Sequence, residues 1–331
     1  AQMAGVFGAA LALTVPEIAE KLDGQVVFFA TPAEEYGEIE FKNQLREQGK
    51  IRYGGGKCEL LRIGAFDDID LCLTHHIRPG NEILVGSGTG NGFVSKVIRV
   101  LGKASHAAGA PEKGVNALSA ASLGLQALGL NRETFRDEDC VRVHPIITKG
   151  GNLVNVIPDE VVVETLVRGK TIEAFTDAAK KTDRSFKAGA IAMGAKVEIS
   201  TLPGYLPTLA EEALPELKHA AEISASGIPV IEASGHAGGS TDVGDVQHLM
   251  PVYTFNTGGV KGGLHQIDFE VTDEEEAYIV TAKMFALAAY GLLKEKAQRS
   301  RELVDQYEPV FKNSAEYVEF MEQFDSKEIF E

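Results

Sequence analysis

The sequence predicts a layered α/β domain with a mainly parallel sheet, interrupted by a smaller ferredoxin-like α/β sandwich. Three observations predict it. Short continuous apolar runs alternate with helical stretches toward both ends of the chain, which is the pattern of a parallel sheet covered by helices. The middle reads βαββαβ, the split-βαβ order. A glycine-rich run before that middle and Leu202-Pro203-Gly204 after it mark an insertion with two hinges.

Taken in order, Ala1–Leu13 is rich in small and apolar residues and predicts a helix buried against a sheet. The stretch Val6–Val15 has the apolar character of a signal-peptide core, but no basic residues precede it. Gln25–Thr31 (QVVFFAT) follows Asp23-Gly24 and reads as a strand buried on both faces. Ile69–Thr74 and Val252–Asn256 read the same way, and Glu274–Lys296 reads as a helix. In the middle, Phe93–Leu101 is a strand, Val115–Leu128 a helix, Val141–Thr148 and Glu160–Arg168 two strands, Ile172–Met193 a helix and Lys196–Thr201 a last strand. The run Gly86-Ser87-Gly88-Thr89-Gly90-Asn91-Gly92 is a hinge rather than a phosphate loop. A dinucleotide fingerprint must open a helix, and Phe93–Leu101 after this run is strand-like. The expected domains are a discontinuous large domain (1–91 and 202–298), the insertion (92–201) and an acidic, aromatic helical tail (299–331).

Composition narrows the function. A net charge of −16 argues against nucleic acid, which needs a concentrated basic surface. Lys180, Lys181, Arg184 and Lys187 are the solvated face of one helix. No uninterrupted apolar run reaches the roughly 20 residues of a membrane span, so no membrane partner is expected. Cys58, Cys72 and Cys140 form no CxxC pair and cannot all pair with one another, which points to a reducing, cytoplasmic compartment.

The chemistry gathers at strand ends, where ligands of open α/β sheets bind. Gln25–Thr31 runs into Pro32-Ala33-Glu34-Glu35, Ile69–Thr74 into His75-His76, and Val252–Asn256 into a glycine-rich loop carrying His265. Glutamate and histidine at strand ends are ligands for zinc or a similar divalent metal. A hydrolase also needs a carboxylate that takes the proton of the activated water, and adjacent glutamates can divide those two duties. Alone, Glu34-Glu35 would be a solvated acidic turn and His75-His76 a hydrogen-bonded core pair. Convergence at three strand ends favours the functional reading.

These motifs, with His76-Ile77-Arg78-Pro79, Gly102-Lys103-Ala104-Ser105-His106-Ala107-Ala108, Gly151-Asn152-Leu153-Val154-Asn155-Val156-Ile157-Pro158, Gly239-Ser240-Thr241-Asp242-Val243-Gly244-Asp245 and Gly263-Leu264-His265, occur in family order over about Ala1 to Leu293. Together the chain resembles the metal-dependent amidohydrolases that include aminoacylases, indole-acetyl-amino-acid hydrolases and aminobenzoyl-glutamate hydrolase (metallopeptidase family twenty). The resemblance implies Glu34 as general base, Glu35, His76 and His265 as metal ligands, and His106 polarising the scissile carbonyl from a partner subunit, hence a homodimer. It implies Asn155 and Arg168 as holders of the substrate carboxylate. His106 as a cap of the next helix, Arg168 as a surface strand residue and Asn155 as a turn residue are the bland alternatives. Asp242 and Asp245 read as helix caps, with Ser240 and Thr241 as rivals.

The family site holds two divalent metals, zinc or manganese, with further ligands just before a small-residue helix. Here Ala1–Gly5 resembles the start of that helix, so the chain reads as truncated and its own ligands hold at most one metal. The expected function is hydrolysis of an amide bond next to a free carboxylate, in an N-acyl or aminobenzoyl amino acid or a dipeptide. The rivals are a non-catalytic binding protein that keeps the fold with an incomplete metal site and, more remotely, a cytosolic exopeptidase of the same fold.

Overall fold

A computed structural model describes all 331 residues. Helix α1 (Gln2–Leu13) opens the chain, and a short helix α2 (Gly56–Arg62) precedes strands β1 (Cys72–Ile77) and β2 (Ile83–Val85). The insertion follows as β3 (Gly92–Leu101), α3 (Ala117–Asn131), β4 (Arg142–Val143), β5 (Ile146–Lys149), β6 (Glu160–Gly169), α4 (Ile172–Met193) and β7 (Lys196–Tyr205). The chain then returns through α5 (Pro215–Ser224), β8 (Val230–Glu232), α6 (Val243–Gln247), β9 (Val252–Thr257) and α7 (Thr281–Gln306). It closes with α8 (Ser314–Glu322) and β10 (Ser326–Phe330).

The insertion folds as its pattern predicts. β3 lies between β6 and β7, antiparallel to both, which is the strand order of a split βαβ unit. Alternation along the strands splits their side chains between two cores. Val94, Ile98, Val100, Val163 and Val167 pack under α3 and α4 with Phe175 and Phe186. Phe93, Val97, Val162 and Leu202 face the other way and join Tyr53 and Leu61 of the large domain and Tyr317 of the tail. Each of these buried side chains contributes about 1.5–3 kcal/mol of transfer free energy. Pro145 divides the predicted strand Val141–Thr148 into β4 and β5, since its ring nitrogen has no N–H for a ladder.

The large-domain sheet has the order β1-β9-β2-β8; its two outer pairings are parallel and the central one antiparallel. Ile83, Val85 and Phe255 of that sheet pack against Ala9 of α1, Leu217 of α5, and Met284, Phe285 and Ala288 of α7. Helical residues Glu275–Gln306 are long and apolar enough by composition to cross a membrane, but their apolar stripe is this core face. Residues Lys294–Ala297 interrupt the helix with non-helical backbone angles.

Three further expectations are corrected. β7 runs on to Tyr205, through Leu202-Pro203-Gly204 expected as the return hinge, because β3 offers it a pairing partner that far. Gln25–Thr31 pairs with no strand, and Val26 and Val27 are 52% and 42% exposed. A continuous apolar run supplies the drive for burial, but a strand also needs a neighbour's N–H and C=O groups, and β1 pairs on one side only, with β9. The acidic tail is not wholly helical. Ser326–Phe330 adds antiparallel to β7 while Tyr317 of α8 is fully buried in the large domain. Arg46 and Arg52 hold Asp325 at 2.9 and 2.8 Å. The tail therefore straps one domain to the other.

Candidate active site

The loop after Gln25–Thr31 is built under constraint. Ala33 has φ +53°, a left-handed conformation uncommon outside glycine, and His265 has φ +63°. Backbone strain of this kind persists where surrounding structure enforces it, and it clusters at functional sites. The enforcing contact at Ala33 is α2: the Gly56 N–H donates to the Ala33 carbonyl at 3.2 Å. A Cβ at Gly56 would stand 1.8 Å from the Pro32 carbonyl oxygen, so only glycine permits this approach.

The two adjacent glutamates point apart. Glu34 turns inward, where its Oε1 accepts from the Thr241 hydroxyl at 2.7 Å and its backbone carbonyl accepts from the Tyr205 hydroxyl. Glu35 turns outward, with its Oε1 3.6 Å from His265 Nε2; both side chains are about three-quarters exposed. His76 does not join that pair. Successive side chains on β1 alternate, so His75 is buried on Thr257 Oγ1 at 2.8 Å while His76 is exposed on the other face, its Nδ1 2.6 Å from the Ile77 carbonyl. Nowhere do three His, Cys, Asp or Glu side chains form a metal-holding group. Glu35 and His265 fit a divalent metal in donor type; a third ligand is not gathered.

On the insertion, the segments carrying His106 and Asn155 run side by side, with the Ala107 N–H donating to the Asn155 carbonyl at 2.9 Å. His106 Nδ1 accepts from the Gly109 and Ala108 N–H groups at 2.9 and 3.2 Å, and helix α3 is capped by Asn116 instead. Both His106 and Asn155 are exposed. Arg168 is half-buried at the seam between domains, over the Phe93 ring and 3.3 Å from Ser240 Oγ. Burial lowers its affinity for its proton. Arg142 lies opposite it in the ladder. Neither arginine, nor Lys170, has a carboxylate partner.

Further seam residues carry no signal in the sequence beyond lying in or near a recognised motif. His236 Nδ1 is 3.0 Å from Thr89 Oγ1 and its Nε2 3.2 Å from Asn91 Oδ1; burial, then Lys170 and Arg142, hold it below the usual histidine range. Asn91 of the predicted hinge is fully buried and donates to the Cys140 and Gly238 carbonyls, so the glycine-rich run is pinned at its end. Asp242 stands at the N-cap position of α6 yet makes no capping bond. Its carboxylate is buried against Lys57, 2.5 Å from Nζ and 2.8 Å from the backbone N–H. Asp245 is also fully buried, and burial pushes its carboxyl up to about 8.

Comparison with known proteins fits this architecture. Residues 90–192 match the peptidase dimerisation domain M20_dimer. The chain is 28% identical to the Xaa-Arg dipeptidases of Mus musculus and Homo sapiens over 82% and 86% of its length, and it spans 57% and 64% of theirs. Over 51% of the chain and 33% of the relative it is 31% identical to one of the subunits of the p-aminobenzoyl-glutamate hydrolase of Escherichia coli. A dinuclear metal-binding peptidase of the M20 family from Bacillus subtilis shares the fold with a TM-score of 0.57 at 22% identity, over 88% of this chain and 71% of that one. An aminobenzoyl-glutamate utilization protein from Klebsiella pneumoniae does so at 0.57 and 20% identity, over 86% and 65%.

Proposed function

We propose that this chain, whose residues 90–192 match the M20 peptidase dimerisation domain, hydrolyses an amide bond next to a free carboxylate, in an N-acyl or aminobenzoyl amino acid or a dipeptide. The observation that carries the proposal is the parting of Glu34 and Glu35: one carboxylate is held inward by a hydroxyl and the other is offered outward beside an imidazole. That is the division between a proton acceptor and a ligand that such a hydrolysis needs. Glu34 takes a proton from the attacking water and returns it to the leaving amine. Arg168, with Arg142 beside it and Lys170 nearby, none of them paired with a carboxylate, offers cations to the substrate carboxylate in a chain whose net charge is −16. His106 and Asn155, on one rim of the insertion, serve a partner subunit's site in a homodimer.

A divalent metal, zinc or manganese, is the cofactor in this reading, with Glu35 and His265 among its ligands and His76 the expected third. When bound it supplies an acidified water and a polarised carbonyl. Three free cysteines favour a reducing, cytoplasmic setting. In the test, Glu34→Gln lowers turnover of N-acyl amino acids by about 10²–10⁴-fold with metal content unchanged, whereas Glu35→Gln lowers metal content by elemental analysis. Equal metal loss in both variants would remove the assigned division.

A further inference from the structure

We infer that Thr241 is a positioning residue for Glu34, fixed in place by a buried carboxylate network that the hydrolysis itself does not use. The inference rests on Glu34 being the proton acceptor. Its starting point is an excess of buried charge. Asp242 and Asp245 are both fully buried within four residues, at the start of a helix of only five residues. Burying a carboxylate is costly unless its oxygens are paired and hydrogen-bonded. Neither aspartate caps the helix, so helix stability does not account for them.

What both do is fix the backbone on either side of Val243-Gly244. Asp242 is clamped by the amine and the N–H of Lys57, and Asp245 accepts from the Tyr317 hydroxyl at 2.8 Å and lies 3.3 Å from the Leu206 N–H. Lys57 follows Gly56, whose N–H holds the Ala33 carbonyl. The contacts therefore close a ring: Ala33 to Gly56, Lys57 to Asp242, Thr241 to Glu34, and Glu34 back to Ala33 through the chain. Within that ring the Thr241 hydroxyl occupies Oε1 of Glu34 and leaves Oε2 without a protein partner, which selects the oxygen that meets the water's proton. A threonine hydroxyl has one donor hydrogen, so donating it to a carboxylate defines its direction.

Thr241→Val keeps the branched shape and removes the donor; Thr241→Ser keeps the donor. Amide hydrogen exchange over residues 33–36, measured on the whole chain, should quicken by about tenfold in the valine variant and stay near the parent rate in the serine variant, with both melting as the parent does. For N-acyl amino-acid hydrolysis, kcat should fall by about 10–100-fold in the valine variant with KM within about twofold, and serine should restore it. Unchanged exchange and unchanged kcat in Thr241→Val overturn the inference. Turnover that survives in Glu34→Gln overturns the reading of Glu34 itself, a separable failure.

Discussion

Glu211 shows what a single buried side chain does to the whole chain's response to pH. Burial pushes its carboxyl up to about 8, although the Thr254 N–H and hydroxyl donate to it. Because the folded-state value lies above the unfolded one, folded Glu211 keeps its proton where the unfolded chain has lost it. Its contribution to stability is full below about pH 4.5 and is lost as the pH rises to about 8. The loss runs at up to about 1.4 kcal/mol per pH unit in that window. Glu211→Gln cannot ionise, so urea unfolding of this variant should show a shallower decline between about pH 5 and about pH 8 than the parent. Parallel declines would contradict the assignment. Nothing around Glu211 in the sequence announces this, because burial of one acid among many is decided by the fold. The same holds at Asp242 and Asp245, whose types suit a helix cap and whose surroundings put them to another use. By contrast, Glu34, Glu35 and His265 stand out in the sequence by residue type and motif, and the fold sets Glu35 beside His265 although the strand expected before Glu34 does not form.

At the scale of elements, the order of the insertion is legible, and Ile172–Met193 is a helix with the predicted bounds, since its apolar positions recur on one face and Thr171 and Gly194 supply the cap and the stop. Gln25–Thr31 misleads because an apolar run reports a preference for burial and cannot report whether a pairing edge is present. Helix contacts carry a test of their own. α3 and α4 meet where a Cβ at Gly189 would stand 2.3 Å from the Ala120 carbonyl oxygen, whereas one at Gly129 meets nothing within 4 Å. Helix propensity alone favours alanine at both by about 1 kcal/mol. The packing reverses the sign at one of them. Gly189→Ala should destabilise by about 1–3 kcal/mol and Gly129→Ala stabilise by about 0.5–1 kcal/mol, read from urea midpoints. Stabilisation by both would show that α3 and α4 can separate without cost.

For the whole molecule, the six-stranded sheet has one covered edge and one open edge. β10 covers β7, while β4 and β5 form the opposite edge. Ile146 and Ile147 on β5 are 62% and 41% exposed, and Leu153 and Val154 in the next loop are 66% and 103% exposed. An apolar edge strand left open pairs readily with another chain, and a two-fold axis lets it pair with its own copy. Ile147→Lys places a charge on that edge and should shift the chain toward monomer in analytical ultracentrifugation. The proposed dimer also decides where His106 acts. Suppose each active site takes Glu34 from one subunit and His106 from the other. A hybrid of one Glu34→Gln chain and one His106→Ala chain then has one intact site and one site lacking both groups. Random exchange makes half the dimers hybrids, so a mixture of two inactive proteins should recover about a quarter of the parent activity. If His106 instead serves the site of its own chain, every site in the mixture lacks one group and nothing is recovered. Subunit exchange is followed independently by mass-labelled chains, so an absence of activity in verified hybrids assigns His106 to its own subunit.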